Sequence, residues 1–257
     1  MSDSTPPSEL VRQYLGEVTS RVEELAAGAQ SGAFEAAIDL MVAAIEKGGV
    51  IQAFGTGHSE AFAMEIAGRA GGLIPTNKIA LRDVVLRGSQ GVDSLSGSAL
   101  ERNPAVVEEL FEVSTVGPED VFIIASNSGV NGSVVGLALL AKAKGHKLIA
   151  VTSLEHTKLV EPKHPSGKRL YEVADVVLDN LAPYGDSTVE LLGGIPVGAV
   201  SSITAAFIAQ LLTIGTAQRI AESGKTPPLY ISANIPGGDE HNQALESLYQ
   251  NKIRRGA

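Results

Sequence analysis

The chain has 257 residues, of which 44% are hydrophobic and 19% charged, with a formal net charge of -9; this suffices for one sizeable α/β core with helical additions. The acidic balance, with no stripe of Lys or Arg, excludes a nucleic-acid surface. It leaves a small phosphorylated molecule open as ligand, because backbone N–H groups hold an anion without a local cationic excess. Cys is absent, MSDSTPPSEL lacks a basic region followed by an apolar core, and no apolar run reaches the roughly 18 residues of a membrane span, so a cytoplasmic protein without a membrane partner is expected.

After a short polar tail, Leu10, Val11, Tyr14, Leu15, Val18, Val22 and Leu25 recur at three- and four-residue steps, which predicts an amphipathic helix. Phe34, Ile38, Met41, Val42 and Ile45 repeat the pattern up to Gly48-Gly49, so a helical hairpin over about 8–48 precedes the first strand. The period then changes. VIQAF (50–54), VFIIAS (121–126), KLIAVTS (147–153) and ADVVLDN (174–180) read as short buried strands. Helical stretches at about 59–71, 101–114 and 131–144 separate several of them, and this alternation predicts a doubly wound parallel sheet with its ligand at the carboxyl ends of the strands. RGSQGVDSLSGSALERN (87–103) reads as a surface excursion, with a lid as the other reading. GGIPVGAVSSITAAFIAQLLTIGTA, from Gly193, reads as a buried helix, and PGGDEHNQALESLYQNKI (236–253) as a final amphipathic one.

Two strand-to-helix junctions share one chemistry. GTGHS (55–59) offers Gly55, Thr56, Gly57 and Ser59, and ASNSGVN (125–131) offers Ser126, Asn127, Ser128, Gly129 and Asn131. Glycines let the backbone approach an anion, hydroxyls donate to it, and the helix start adds unpaired N–H groups and the positive end of the macrodipole. A lone Gly-rich turn is a weak signal; a pair at neighbouring strand ends makes a polar cradle that a core does not need. Thr152 and Ser153, at the end of the third run, are candidates to line it, or they only terminate the strand. Other phosphate motifs fail. The dinucleotide fingerprint meets Glu60 where it needs glycine, and Gly224-Lys225-Thr226 has Arg219 in place of the first P-loop glycine and Pro227-Pro228 where a helix must start. His-Glu-x-x-His and Gly-x-Ser-x-Gly are both missing, so neither a zinc site nor a serine hydrolase is expected.

The GTGHS loop, the Ser126-Asn127-Ser128-Gly129 loop before a helix, GHKLIAVTS and VSSITAAFIAQLL resemble the SIS (sugar isomerase) family over roughly residues 34–220. The resemblance implies one SIS domain over 1–257: a five-stranded parallel sheet flanked by helices, with helical N- and C-terminal extensions. It also implies a phosphosugar held by the second loop, no cofactor, and a homodimer or higher homo-oligomer. Within the family, EIAGR (65–69) is similar to the segment of phosphoheptose isomerases that carries a catalytic Glu, which implies Glu65 as base; by spacing alone Glu65 and Arg69 are a helical ion pair. Those isomerases carry a histidine on the later buried helix, where this chain has none. His58, in the first loop, and His241, before the last helix, are the candidates for ring opening, and Glu190 is a second candidate base. The activity so implied is cofactor-free aldose–ketose isomerisation through an enediol. Two alternatives stand beside it: a non-catalytic phosphosugar sensor, and an etherase of the same fold acting on a sugar phosphate.

Overall fold

A computed structural model describes residues 7–254; the polar tail expected at the N-terminus falls mostly at 1–6, outside the described residues. Five parallel strands form one sheet in the order β2-β1-β3-β4-β5, made of β1 (Ile51–Gly55), β2 (Thr76–Ile79), β3 (Val121–Ala125), β4 (Lys147–Thr152) and β5 (Val176–Asp179). β1 and β3 are buried along their whole length, as central strands covered on both faces must be. Their side chains alternate between two apolar layers. Ile51, Ala53, Val121 and Ile123 meet helices α1 (Pro7–Gln30), α2 (Glu35–Glu46), α3 (Glu60–Ile66) and α9 (Ser201–Glu222), while Phe54, Phe122 and Ile124 meet the layer beneath α4 (Asp83–Leu86), α5 (Ala99–Arg102), α6 (Val106–Glu112) and α7 (Gly132–Ala143). The hairpin α1–α2 and the doubly wound sheet are as the sequence predicts.

Several elements differ from expectation, each for a local reason. β2 reads poorly because Thr76, Asn77 and Lys78 are polar; it is an edge strand, and the C-terminal stretch covers it through bonds from Asn77 Nδ2 to Lys252 O (2.7 Å) and from Arg254 N to Asn77 Oδ1 (2.6 Å). The helix expected over 59–71 stops at Ile66, where Ala67 turns extended and Gly68 takes a φ of 77°. Within this helix Phe62, Ala63 and Ile66 are buried, while Ala61 is exposed. The helix expected over 101–114 is broken into α5 and α6 at Asn103-Pro104, since proline's ring disfavours a helical residue before it. The apolar stretch from Gly193 is not helical at its start. Gly193 and Gly194, both at positive φ, turn a two-stranded hairpin of β6 (Ser187–Leu191) and β7 (Ile195–Ala199), and the helix begins only at Ser201. α9 then packs on α1, α2 and α3 of its own chain. The last helix, α10 (Gly238–Glu246), is shorter than expected, and α8 (Leu154–Leu159) follows β4.

Candidate active site

The strand order reverses direction between β1 and β3, the switch point at which open α/β sheets bind ligands. β1 ends in Gly55 and β3 in Ala125, paired in register, so the two hydroxyl-rich loops leave the sheet side by side. A narrow cleft, with about 10 Å³ of free volume in this structure, opens there. His58 and Ser59 line it from the first loop, Ser126 and Asn127 from the second, Asn180 from the end of β5, and Ser201 and Ser202 from the start of α9. Its floor is apolar: Phe62, Ala125, Val151 and Ala205.

Local bonding explains the shape of the second loop. Ser126 Oγ accepts from Gly129 N (3.1 Å), and Gly129 has a φ of 61° with Thr152 Oγ1 and Thr157 Oγ1 both 3.1 Å from where a Cβ would stand. Asn127 is braced on two sides, its carbonyl accepting from Thr152 Oγ1 (3.2 Å) and its Oδ1 from Asn180 Nδ2 (3.1 Å). The chain then enters α7 at Asn131, so the partial positive charge of a twelve-residue helix lies behind the loop. A second long helix, α9, starts at the cleft. Asp186, at a φ of 71°, caps it by accepting from Val200 N, Ser201 N and Ser201 Oγ, and this leaves Ser202 open to the cleft.

The candidate residues divide by place. Gly55, Thr56, Gly57, His58, Ser59, Ser126, Asn127, Ser128, Gly129 and Asn131 all sit in the two adjacent loops. Thr152 and Ser153 are fully buried behind them, where Thr152 supports Asn127, and Ser153 Oγ accepts from His156 N (2.9 Å) at the start of α8 and donates to Ala182 O (2.6 Å). Glu65 lies farther along the α3–α9 seam; its Oε1 accepts from Gln210 Nε2 (2.6 Å) and from Arg69, which reaches back from beyond the helix end. Glu190 is exposed on β6 and His241 is exposed on α10, with Nε2 3.0 Å from Leu229 O; neither lines the cleft of this chain.

Glu101 has no place among the residues singled out by sequence, yet it ties the two loops together. Its Oε1 accepts from Thr56 Oγ1 (3.0 Å) and from Asn131 Nδ2 (2.5 Å), and its carbonyl accepts from Ser133 Oγ (2.9 Å). Both side-chain bonds fall on one oxygen, so Oε2 keeps its lone pairs for another partner. α5 carries it there, anchored by the buried Leu100, so the irregular segment 87–103 delivers a carboxylate to the switch point. The only hint in the sequence is ALER, an apolar residue before a carboxylate within a Ser/Gly-rich stretch. The serines of VSSIT were visible as interruptions of an apolar run, but not as the lip of a cleft.

His156 borders the same end of the sheet. Its Nδ1 accepts from Gly185 N (3.1 Å) and its ring lies 5.3 Å from that of Tyr184, close in the chain to the Asp186 cap. Burial lowers its pKa, against the opposing pull of Asp186 and Glu155. The sign follows from linkage: the unfolded chain binds the proton more readily, so the contribution is fully present above about pH 6.5 and is lost as pH falls through the lowered folded value. An NMR titration is expected to place His156 below a free histidine, with stability to urea declining on acidification through that window and less so in His156→Gln. A midpoint at or above that of free histidine contradicts it.

Comparison with known proteins gives three findings. The profile of the SIS domain matches residues 13–153. A curated UPF0309 protein of Listeria monocytogenes is 38% identical over 239 residues, covering 92% of this chain and 94% of its own length. Among solved structures, a phosphoheptose isomerase from Francisella tularensis superposes with a TM-score of 0.54 at 15% identity, covering 83% of this chain and 100% of that one; a phosphoheptose isomerase from Neisseria gonorrhoeae superposes with a TM-score of 0.53 at 18% identity, covering 84% and 100%. At these identities the structural likeness is one of fold.

Proposed function

The chain belongs to the SIS domain family, and on that premise we propose that it is a sugar-phosphate isomerase that interconverts an aldose and a ketose in the cleft between β1 and β3. The observation that carries the reading is the pairing of two hydroxyl-rich loops at the switch point of the sheet, the second of which leads into the long helix α7, while Ser201 and Ser202 at the start of α9 line the same cleft. In this reading Ser126, Ser128 and the N–H groups around Gly129 hold the phosphate against the positive end of α7. The sugar then runs toward His58, Ser59 and Ser202, over the apolar floor.

The reaction moves one proton between adjacent carbons and needs no electron acceptor. A carboxylate takes the proton from the carbon beside the carbonyl while the carbonyl oxygen gains a proton, the enediol forms, and the proton returns to the neighbouring carbon as the adjacent hydroxyl gives up its own. We assign that base to Glu101, whose Oε1 is tied to both loops and whose Oε2 makes no bond to a described residue, rather than to Glu65, whose bonds run to Gln210 and Arg69. His58, exposed in the first loop, serves ring opening. A homodimer suits the exposed Leu191, Leu192, Ile195 and Val197 of the β6–β7 hairpin and Ile203 near the mouth of the cleft, an apolar surface that a second copy would cover. Through that contact His241 or Glu190 of a second subunit would come to a site they do not reach in their own.

The test is a binding measurement. Calorimetry against hexose, pentose, heptose and aminosugar phosphates, with the unphosphorylated sugars as controls, is expected to find a ligand only among the phosphates. Ser126→Ala and Ser128→Ala should each weaken it by about tenfold or more, the value of a hydrogen bond to a charged group. A sugar bound equally well without its phosphate, or binding indifferent to both serines, refutes the assignment of the loop.

A further inference from the structure

A second cavity lies at the edge of the sheet and shares no lining residue with the cleft. It measures about 560 Å³, and five cationic side chains surround it: Arg69 beyond α3, Lys78 on β2, Arg82 and Arg87 at the two ends of α4, and Arg254 on the C-terminal stretch. Three carboxylates answer them. Glu60 pairs with Lys78 (3.6 Å) and Arg82 (2.7 Å), Glu65 pairs with Arg69, and Asp83 lies on the wall, which leaves an excess of two positive charges in a protein whose formal net charge is -9. The excess resides in two arginines. The Arg87 guanidinium makes no hydrogen bond or ion pair with any described residue, and the Arg254 guanidinium bonds only to the neutral Thr115 Oγ1 (2.6 Å) and the Val113 carbonyl. Burial and then the charge of Arg87 lower the pKa of Arg254 against the opposing pull of Asp83 on the cavity wall, so the two guanidinium groups lie near each other with one carboxylate beside them.

The wall between the charges is apolar. Met64 and Leu86, 55% and 68% exposed, face this cavity and are among the large hydrophobic side chains the fold leaves uncovered. Cations that lack carboxylate partners, set beside uncovered apolar side chains in a concave site, form a receptor for an organic anion. We propose that this cavity is a second ligand site, separate from the cleft, and that it takes a small organic phosphate: the dianion on Arg87 and Arg254, its apolar part against Met64 and Leu86. Nothing in this inference depends on the reaction in the cleft.

Phenyl phosphate is the smallest probe with both parts, and above pH 7 its phosphoryl group is close to fully dianionic. Calorimetric titration of the full chain with it, and with inorganic phosphate, is to be compared across wild type, Arg87→Glu and the double variant Ser126→Ala/Ser128→Ala. Arg87 is exposed and its guanidinium unbonded, so its variant should keep the wild-type melting temperature. The expected result is that phenyl phosphate binds wild type more tightly than inorganic phosphate does, that Arg87→Glu weakens it at least about tenfold, about 1.4 kcal/mol, that the serine variant retains it, and that added salt weakens it. Binding lost in the serine variant but intact in Arg87→Glu overturns the proposal and places the probe in the cleft. Absence of binding to the wild type also overturns it; if Arg87→Glu then alters the sedimentation coefficient, the arginines serve a contact between copies of the chain.

Discussion

Glu101→Gln is expected to lower the turnover of sugar phosphate by about 10²–10⁴-fold, the range associated with a positioned general base, while substrate affinity changes by less than about threefold. Glutamine keeps the size of the side chain and an oxygen that can accept from Thr56 and Asn131, so the loops stay tied. What it loses is the second carboxylate oxygen, the one without a partner. The informative comparison is Glu65→Gln. That substitution disturbs the bonds to Gln210 and Arg69 at the α3–α9 seam and is expected to cost stability more than turnover. If Glu65→Gln is inactive and Glu101→Gln is not, the base is Glu65, as the likeness of EIAGR to phosphoheptose isomerases implies, and Glu101 is only a tie between loops. Measuring kcat and KM separately for both variants decides between these roles.

Gly55→Ala is expected to destabilise the protein by about 3 kcal/mol, a fall in melting temperature of roughly 10 °C for a chain of this length, and to abolish ligand binding. Gly55 closes β1, and the turn after it folds back so tightly that a Cβ there would overlap the Ser59 carbonyl and come within 3.0 Å of Glu60 N. The obstruction is backbone, so no rotamer change relieves it. The first loop must move away from the second, and the cleft opens with it. The contrast within the same loop is Gly57, where nothing lies within 4 Å of an added Cβ and the only obstacle is a φ of 55°. Gly57→Asn, a residue that tolerates that conformation, is expected to keep most of the stability that Gly55→Ala loses. Equal losses at the two positions, read by thermal denaturation, contradict the tight-turn account.

The parts of this fold that sequence reveals are those in which one physical demand dominates. VIQAF, VFIIAS and KLIAVTS contain central strands buried on both faces, and such burial leaves short, mostly apolar runs, interrupted in the first by the buried Gln52, whose amide donates to Thr115 O and Asp120 Oδ2. The two loops were legible for a similar reason: glycine and hydroxyl residues gathered at the end of an apolar run have few other uses. Where two demands compete, the signal fades. Thr76-Asn77-Lys78 must be both strand and edge, and its polar side chains meet the C-terminal stretch instead of a core. The β6–β7 hairpin is short, interrupted by glycine and largely exposed, so Ile195 and Val197 read as the start of the helix that follows. Glu101 is hidden for a different reason. Its importance comes from Thr56, Asn131 and Ser133, respectively 45, 30 and 32 residues away along the chain, and no periodicity within 87–103 records that meeting.

The most direct test of the central claim is an NMR experiment in deuterated water, with the purified protein and the sugar phosphate that binds it best. The account predicts that deuterium enters the carbon beside the carbonyl, that the aldose and ketose forms interconvert, and that both events slow together in Glu101→Gln. Tight binding with no exchange and no product would contradict it and leave a phosphosugar sensor in its place; release of lactate from an ether substrate would contradict it in favour of an etherase.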